Sequence, residues 1–201
     1  MDSVRALQHA LYRAAKADPG RRFHTLWDKV WRRDVLWRAW VAVRRNNGAP
    51  GIDETTLADV EEYGVSRFLD ELAADLRGGS YRPLPARRVL IPKPGQPGEK
   101  RPLSIPSVRD RVVQAALKVV LEPVFEADFF PCSFGFRPRR STYDALQVVI
   151  DEAWRGRLWV VETDIANCFG AIPLDRLMQA VQERVCDQSV LKLLRVVLLV
   201  E

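Results

Sequence analysis

The chain has 201 residues, 47% of them hydrophobic and 28% charged, with a formal net charge of +5. That mixture excludes a disordered tail and a fibrous repeat, and at this length about 70% of the unfolded surface can be buried without disulfide staples. Three widely spaced cysteines, Cys132, Cys168 and Cys186, form no CxxC pair, so neither a disulfide framework nor a zinc knuckle can be read from them. The first twenty residues carry no apolar signal core, and no run reaches the roughly 18 apolar residues of a membrane span. The longest apolar stretch, 190–200, is interrupted by Lys192 and Arg195. The expectation is a chain without a membrane segment in a reducing, cytoplasmic setting.

In chain order, residues 2–17 read as a helix stopped by Asp18-Pro19-Gly20. Residues 22–45 read as one or two helices, with Trp27, Trp31, Trp37 and Trp40 spaced to suit a buried face. Asn46-Asn47-Gly48-Ala49-Pro50-Gly51 is a loop by its turn chemistry. Residues 55–77 read as one acidic amphipathic helix ending at Gly78-Gly79. Two extended stretches, 81–91 and 101–105, flank a Pro/Gly-rich turn and read as a hairpin. Residues 108–121 read as a buried helix stopped before Pro123, and residues 141–155 as a helix capped by Ser141. Residues 158–165 form a short apolar strand ending near Asp164, and residues 173–186 and 188–200 read as two further helices.

Charge is distributed in blocks. Residues 1–52 carry a net +7, residues 53–80 a net −6 and residues 81–111 a net +6, and Arg outnumbers Lys by 25 to 6. Arg forks pair with phosphate and stack on bases, so the two basic blocks point to a nucleic-acid partner, against the plainer reading of a solvated surface. Four stretches carry candidate chemistry. Trp159-Val160-Val161-Glu162-Thr163-Asp164-Ile165 sets a carboxylate near the end of an apolar strand, where Mg²⁺ can be held for phosphoryl transfer; an Asp there can equally be a turn residue. The hairpin carries Arg87, Arg88, Lys93, Lys100 and Arg101, suited either to a triphosphate or to protection of a sheet edge. The loop 46–53 has glycines that permit close backbone approach, on a nucleic acid or between two helices. Ser133-Phe134-Gly135-Phe136-Arg137-Pro138-Arg139-Arg140 interleaves aromatic and basic residues, as base stacking requires, or plugs a core with two Phe.

Taken in order, NNGAPGID, YRPLPARRVLIPK, RPLSIPSVRDRVVQAALKVVLEPVFE, SFGFRPRRST and WVVETDI closely resemble the fingers-to-palm half of group II intron reverse transcriptases, the maturase family. The resemblance runs from about residue 26 to residue 200. It implies an α+β fold: right-hand polymerase fingers joined to an incomplete palm. The expected divisions are 1–80, an N-terminal helical extension with the first fingers motifs; 81–158, the fingers hairpin and helices; and 159–201, the start of the palm. It implies RNA-templated DNA synthesis from dNTPs on an RNA template and DNA primer, with Mg²⁺, in the service of intron splicing and mobility, with group II intron RNA as a partner.

By the same resemblance, Asp164 is the first catalytic carboxylate and a ligand of both metals, and Ile165 offers its main-chain carbonyl to one of them. Phe169 is the steric gate against a 2′-hydroxyl. Lys93 and Arg101 hold the triphosphate, and Arg137 belongs to the nucleotide pocket. Arg44, Arg45, Asn47 and Gly48 in the early loop, with Arg87 and Arg88 in the hairpin, are candidate RNA contacts. Three departures stand out: a turn between Lys93 and Arg101 about two residues longer than usual, Glu54 where the family has Gly, and Gly170 where it has Asp. Tyr-Ala-Asp-Asp does not occur, so the expectation is a segment that lacks two of three metal carboxylates and is inactive by itself. Two other readings use the same residues: a non-enzymatic RNA-binding remnant, and a fragment of a CRISPR-associated or retron-like reverse transcriptase.

Overall fold

The computed structural model describes residues 2–92, 95, 98–166 and 168–199. Among them are ten helices, α1 (Ser3–Ala17), α2 (Trp27–Val30), α3 (Arg33–Asn46), α4 (Leu57–Tyr63), α5 (Val65–Gly78), α6 (Val108–Glu126), α7 (Thr142–Trp154), α8 (Cys168–Ala171), α9 (Leu174–Gln182) and α10 (Gln188–Leu199), and two strands, β1 (Arg87–Pro92) and β2 (Lys100–Ile105). The class is α+β, with an antiparallel two-stranded sheet beside a helical body.

Helix α6 is the axis of that body and packs against α1, α2, α3 and α10. Val108, Val112, Val113, Ala116, Leu117, Val120, Leu121 and Val124 are all buried, so nearly every face of the helix is covered. It runs through Pro123 rather than stopping before it. Proline cannot donate to the carbonyl four residues earlier, and an unmet carbonyl there usually ends or kinks a helix. Here the carbonyl of Val119 accepts a 3.1 Å hydrogen bond from Gln8 Nε2 of α1. A side chain from a neighbouring helix thus replaces the missing amide, which no local pattern around Pro123 announces.

The acidic stretch 55–77 is two helices rather than one. Gly64 has φ +101°, a conformation that stops α4, and α5 restarts directly after it. On α3 the buried residues are Val35, Leu36, Ala39, Trp40 and Val43. Trp37 lies with Val41 on the opposite stripe and is 46% exposed, so the four tryptophans do not share one buried face.

The two ends of the chain are stitched together by two buried charged residues. Asp187 Oδ2 accepts the N–H groups of Leu26 and Trp27, both at 2.8 Å, and its Oδ1 accepts those of Ser189 and Val190, at 3.1 and 3.3 Å. One carboxylate therefore caps both α2 and α10 at their N-termini, where orphan amides and the helix dipole favour a negative charge. Arg184 donates to the carbonyl of Ala15 in the last turn of α1 and to those of Asp18 and Pro19 beyond it, and pairs with Asp128. Phe23 exchanges backbone bonds with Arg184 and Cys186, 2.8 Å each. That pairing explains why α9 ends at Gln182, short of the expected residue 186.

Residues 158–165 form no strand. The strands β1 and β2 pair only with each other, and no described segment lies beside 158–165 to complete a ladder. No described residue between 128 and 173 is buried as a whole, although the Arg137 side chain is. The capping box of α7, where the Ser141 hydroxyl and Asp144 carboxylate each satisfy the other's backbone N–H, forms nonetheless, because it needs only local residues.

Candidate functional site

The early loop is built on the start of α6. Asn47 ends α3 in a left-handed conformation, φ +47°, with its N–H on the Arg44 carbonyl. A Cβ on Gly51 would sit 2.6 Å from Ser107 Cα and 2.7 Å from Ser107 N, so only glycine fits there. Arg111 Nη2 donates to the Ala49 carbonyl at 2.8 Å, and its other terminal nitrogen would be 2.5 Å from a Cβ on Gly48. The glycines thus serve close approach of the loop to α6. Arg44 is paired with Glu61 of α4, while Arg45 has no ion pair among the described residues. Glu54, at the family's glycine position, is left-handed with φ +59°, a backbone that L side chains adopt at a cost of about 1–2 kcal/mol.

The hairpin is rooted at the same end of α6. Asp110, 2% exposed, accepts from the Tyr81 hydroxyl at 2.6 Å, the Ser107 hydroxyl at 2.7 Å and the Leu84 backbone N–H at 3.1 Å. Burial, together with donation to Asp110, pushes the Tyr81 hydroxyl pKa well above its usual value. Asp110, Tyr81 and Arg111 escaped the sequence reading. In the sequence Asp110 is one charge in a polar first turn, and only its burial reveals it as an anchor.

In the hairpin, Ile91 faces Arg101, Pro92 faces Lys100, Arg87 faces Ile105 and Arg88 faces Ser104. Directly opposed residues share a face, and faces alternate along each strand. Arg87 and Arg101 therefore lie on one face, about 13 Å apart along the strands, and Arg88 and Lys100 on the other. The hairpin offers two pairs of cations back to back rather than one basic surface. Lys93 lies outside the described residues.

Arg137 sits at the far end of α6, about 24 Å from Asp110 along the helix. Its guanidinium grips Glu126 through Nη2 at 2.6 Å and Nε at 3.1 Å. Nη1 donates to the carbonyls of Phe130 and Ser133, both at 2.7 Å, and the group lies 5.1 Å from the centre of the Phe129 ring. The side chain is 7% exposed, and Glu126 raises its pKa further. It folds the turn 129–137 onto the helix end. The exposed cations of that motif are Arg139 and Arg140.

Asp164 is exposed, and its Oδ1 accepts the N–H of Ile165 at 2.9 Å. Ile165 and Phe169 are 71% and 84% exposed. A carboxylate and a neighbouring carbonyl are hard oxygen donors of the kind Mg²⁺ prefers, so the donor type fits. The donor number does not, because no described cluster of three His, Cys, Asp or Glu residues could hold a metal ion. Thus the early loop and hairpin root converge on the first turn of α6, Arg137 is held at its other end, and Asp164 is packed against neither.

Residues 91–199, from the hairpin through α10, match the family model for reverse transcriptase (RNA-dependent DNA polymerase). The chain is similar to protein YkfC of Escherichia coli, with 36% identity over 95% of this chain and 51% of that protein. It is also similar to the group II intron-encoded protein LtrA of Lactococcus lactis, with 32% identity over 86% of this chain and 28% of that protein. Its likeness to the mitochondrial nuclear intron maturase 1 of Arabidopsis thaliana is 35% over 44% of this chain and 12% of that protein. The chain spans about half the length of these relatives or less. It belongs to the reverse transcriptase family, within the group II intron maturase group.

Proposed function

We propose that residues 1–201 supply the fingers and the opening of the palm to an RNA-directed DNA polymerase that works on intron RNA. The observation that carries this reading is one stretch matched to the polymerase family, residues 91–199, that holds both the second strand of the hairpin, with Lys100 and Arg101, and, downstream, the exposed Asp164 carboxylate. In this reading RNA template and DNA primer lie along the fingers, and dNTP phosphates meet Arg101 and Lys93. Asp164 and the Ile165 carbonyl would hold part of a Mg²⁺ site, and an ion bound there with further ligands would supply Lewis-acid activation of an attacking oxygen. Phe169 stands against the sugar of the incoming nucleotide. Arg137 acts by shaping the turn that precedes α7.

Extension of oligo-dT on poly-rA with Mg²⁺ and dTTP tests the proposal. One carboxylate cannot hold two metal ions for in-line transfer, so residues 1–201 alone are expected to give no extension. Extension that vanishes in Asp164→Ala would show that the remaining ligands come from a source this account lacks. Binding of poly-rA/oligo-dT should be salt-dependent and tighter than binding of duplex DNA of equal length. Equal binding of the two overturns the polymerase reading.

A further inference from the structure

A groove of about 600 Å³ lies between the C-terminal end of α5 and helix α10. One wall runs from Leu76 through Gly79 to Arg82. The other is Ser189, Lys192, Leu193 and Val196, spaced i, i+3, i+4 and i+7 and hence one stripe of α10. Trp27 of α2 completes the lining. Three lining residues are cations, Arg77, Arg82 and Lys192, and none is acidic. The acids of α5 are engaged elsewhere: Asp70 with Arg33, Glu71 with Arg67 and Asp75 with Arg109. Among the described residues none of the three groove cations has an ion-pair partner. Two are held in place without being neutralised. The Arg77 guanidinium lies 5.6 Å from the centre of the Trp31 ring, and Arg82 Nη1 donates to the carbonyls of Gly79 and Tyr81 at 2.8 and 2.7 Å.

An apolar slot ringed by positioned cations has the alternation of single-stranded RNA, a flat base between two phosphates. Its volume is that of a pocket for a small ligand. An acidic amphipathic helix would need a longer trough than the two turns of α10 that line this one. Cations already positioned lose little side-chain freedom on meeting a phosphate. We propose that this groove takes one unpaired nucleotide of a bound RNA, its base against Trp27, Leu193 and Val196 and its flanking phosphates on Arg77, Arg82 and Lys192. The site lies on the helical body beside the root of the hairpin, since Tyr81 both lines it and bonds to Asp110, and would hold an RNA segment other than the one being copied. It rests on the RNA-binding reading above.

The probes are uridine 3′,5′-bisphosphate and a twelve-residue oligouridine, titrated against the 201-residue chain from 50 to 300 mM KCl. The chain should bind the bisphosphate, and the bisphosphate should displace the oligomer in part. Changing Arg77, Arg82 and Lys192 together to Gln should weaken bisphosphate binding at least tenfold and lower the salt slope of oligomer binding by about 2, at about 0.7 per contact. Val196→Glu, a surface change that places a negative charge in the slot, should do the same to the bisphosphate while the thermal transition is kept. Lys118→Gln, which removes an exposed cation paired with Glu122 on α6, should bind like the parent. Salt-dependent oligomer binding that neither variant alters, with no binding of the bisphosphate, overturns the groove and leaves the RNA-binding reading intact. Absence of any salt-dependent RNA binding overturns both. An acidic peptide that occupies the groove where the bisphosphate does not would assign it to a protein partner and overturn the nucleotide.

Discussion

Asp110→Ala tests how the hairpin is held. The carboxylate is 2% exposed and accepts three bonds, from Tyr81, Ser107 and Leu84. Its removal strands three donors, each worth about 1–3 kcal/mol when left unmet in a buried place. Leu84 is exposed, and water can reach its amide once the carboxylate is gone. The Tyr81 and Ser107 hydroxyls, on residues 6% and 0% exposed, are the costly ones. A net loss of about 3 kcal/mol follows, and at 2–4 °C per kcal/mol the thermal midpoint should fall by about 6–12 °C. Asp110→Asn keeps the volume and one acceptor and should lose about half as much. The midpoint is read by circular dichroism at pH 7, and the anchor by limited proteolysis across residues 84–106, which should become faster in the Ala variant under conditions where α1 and α3 stay protected. A loss below 1 kcal/mol, or a full loss with unchanged cleavage of the hairpin, would refute the view that this carboxylate ties the hairpin to α6.

The Tyr81 hydroxyl has a folded pKa raised above the ordinary value of about 10, so its contribution is complete below pH 10 and is lost as pH rises, when only the unfolded chain gives up the proton. Denaturant titrations from pH 9 to 11 should show an alkaline slope smaller in Tyr81→Phe by up to one proton, about 1.4 kcal/mol per pH unit; equal slopes would sink the argument. If one hairpin face meets RNA, Arg87→Ala with Arg101→Ala should lower the salt slope of binding by about 1.4, and Arg88→Ala with Lys100→Ala should leave it alone, or the reverse; equal losses from both pairs would speak against a single contacting face. Gln8→Ala should cost about 1 kcal/mol by exposing the Val119 carbonyl, and less in a Pro123→Ala background, where the restored amide takes that carbonyl; a urea double-mutant cycle with no coupling would show that Gln8 is not the substitute.

Features that depend on a few neighbouring residues were legible in the sequence. The Ser141 cap with Asp144, the stop of α1 before Pro19 and the turn-linked hairpin follow from residues within one turn of each other. The family resemblance was legible too, because it rests on the order of motifs. Illegible were the features that need a partner from far along the chain. Pro123 stays helical because Gln8 reaches Val119 across 111 residues. The α9 end is set by Phe23, and α2 is capped by Asp187 across 160 residues. Arg137 reads as a surface cation in an aromatic motif, and its pairing with Glu126 eleven residues earlier turns it inward. Each of these is a polar group whose partner is chosen by packing, and hydrophobic periodicity carries no record of that choice.

Residues 158–165 pose the opposite problem, a strand pattern with no strand. Leu158, Trp159, Val160, Val161 and Ile165 are between 71% and 98% exposed. Burying side chains of this size is worth about 1.5–3 kcal/mol each, so the segment has a strong drive toward a sheet that the described residues do not offer. A carboxylate that fixes a metal ion must itself be held to within about 0.5 Å by packed neighbours and further hydrogen bonds. Asp164 has one such bond, to the amide of the next residue. In the proposed reading, strand pairing at 158–165 and metal affinity at Asp164 are therefore coupled: a segment that completed the ladder would also fix the carboxylate. In that reading the segment assigned the chemistry is the one whose geometry its own described residues determine least.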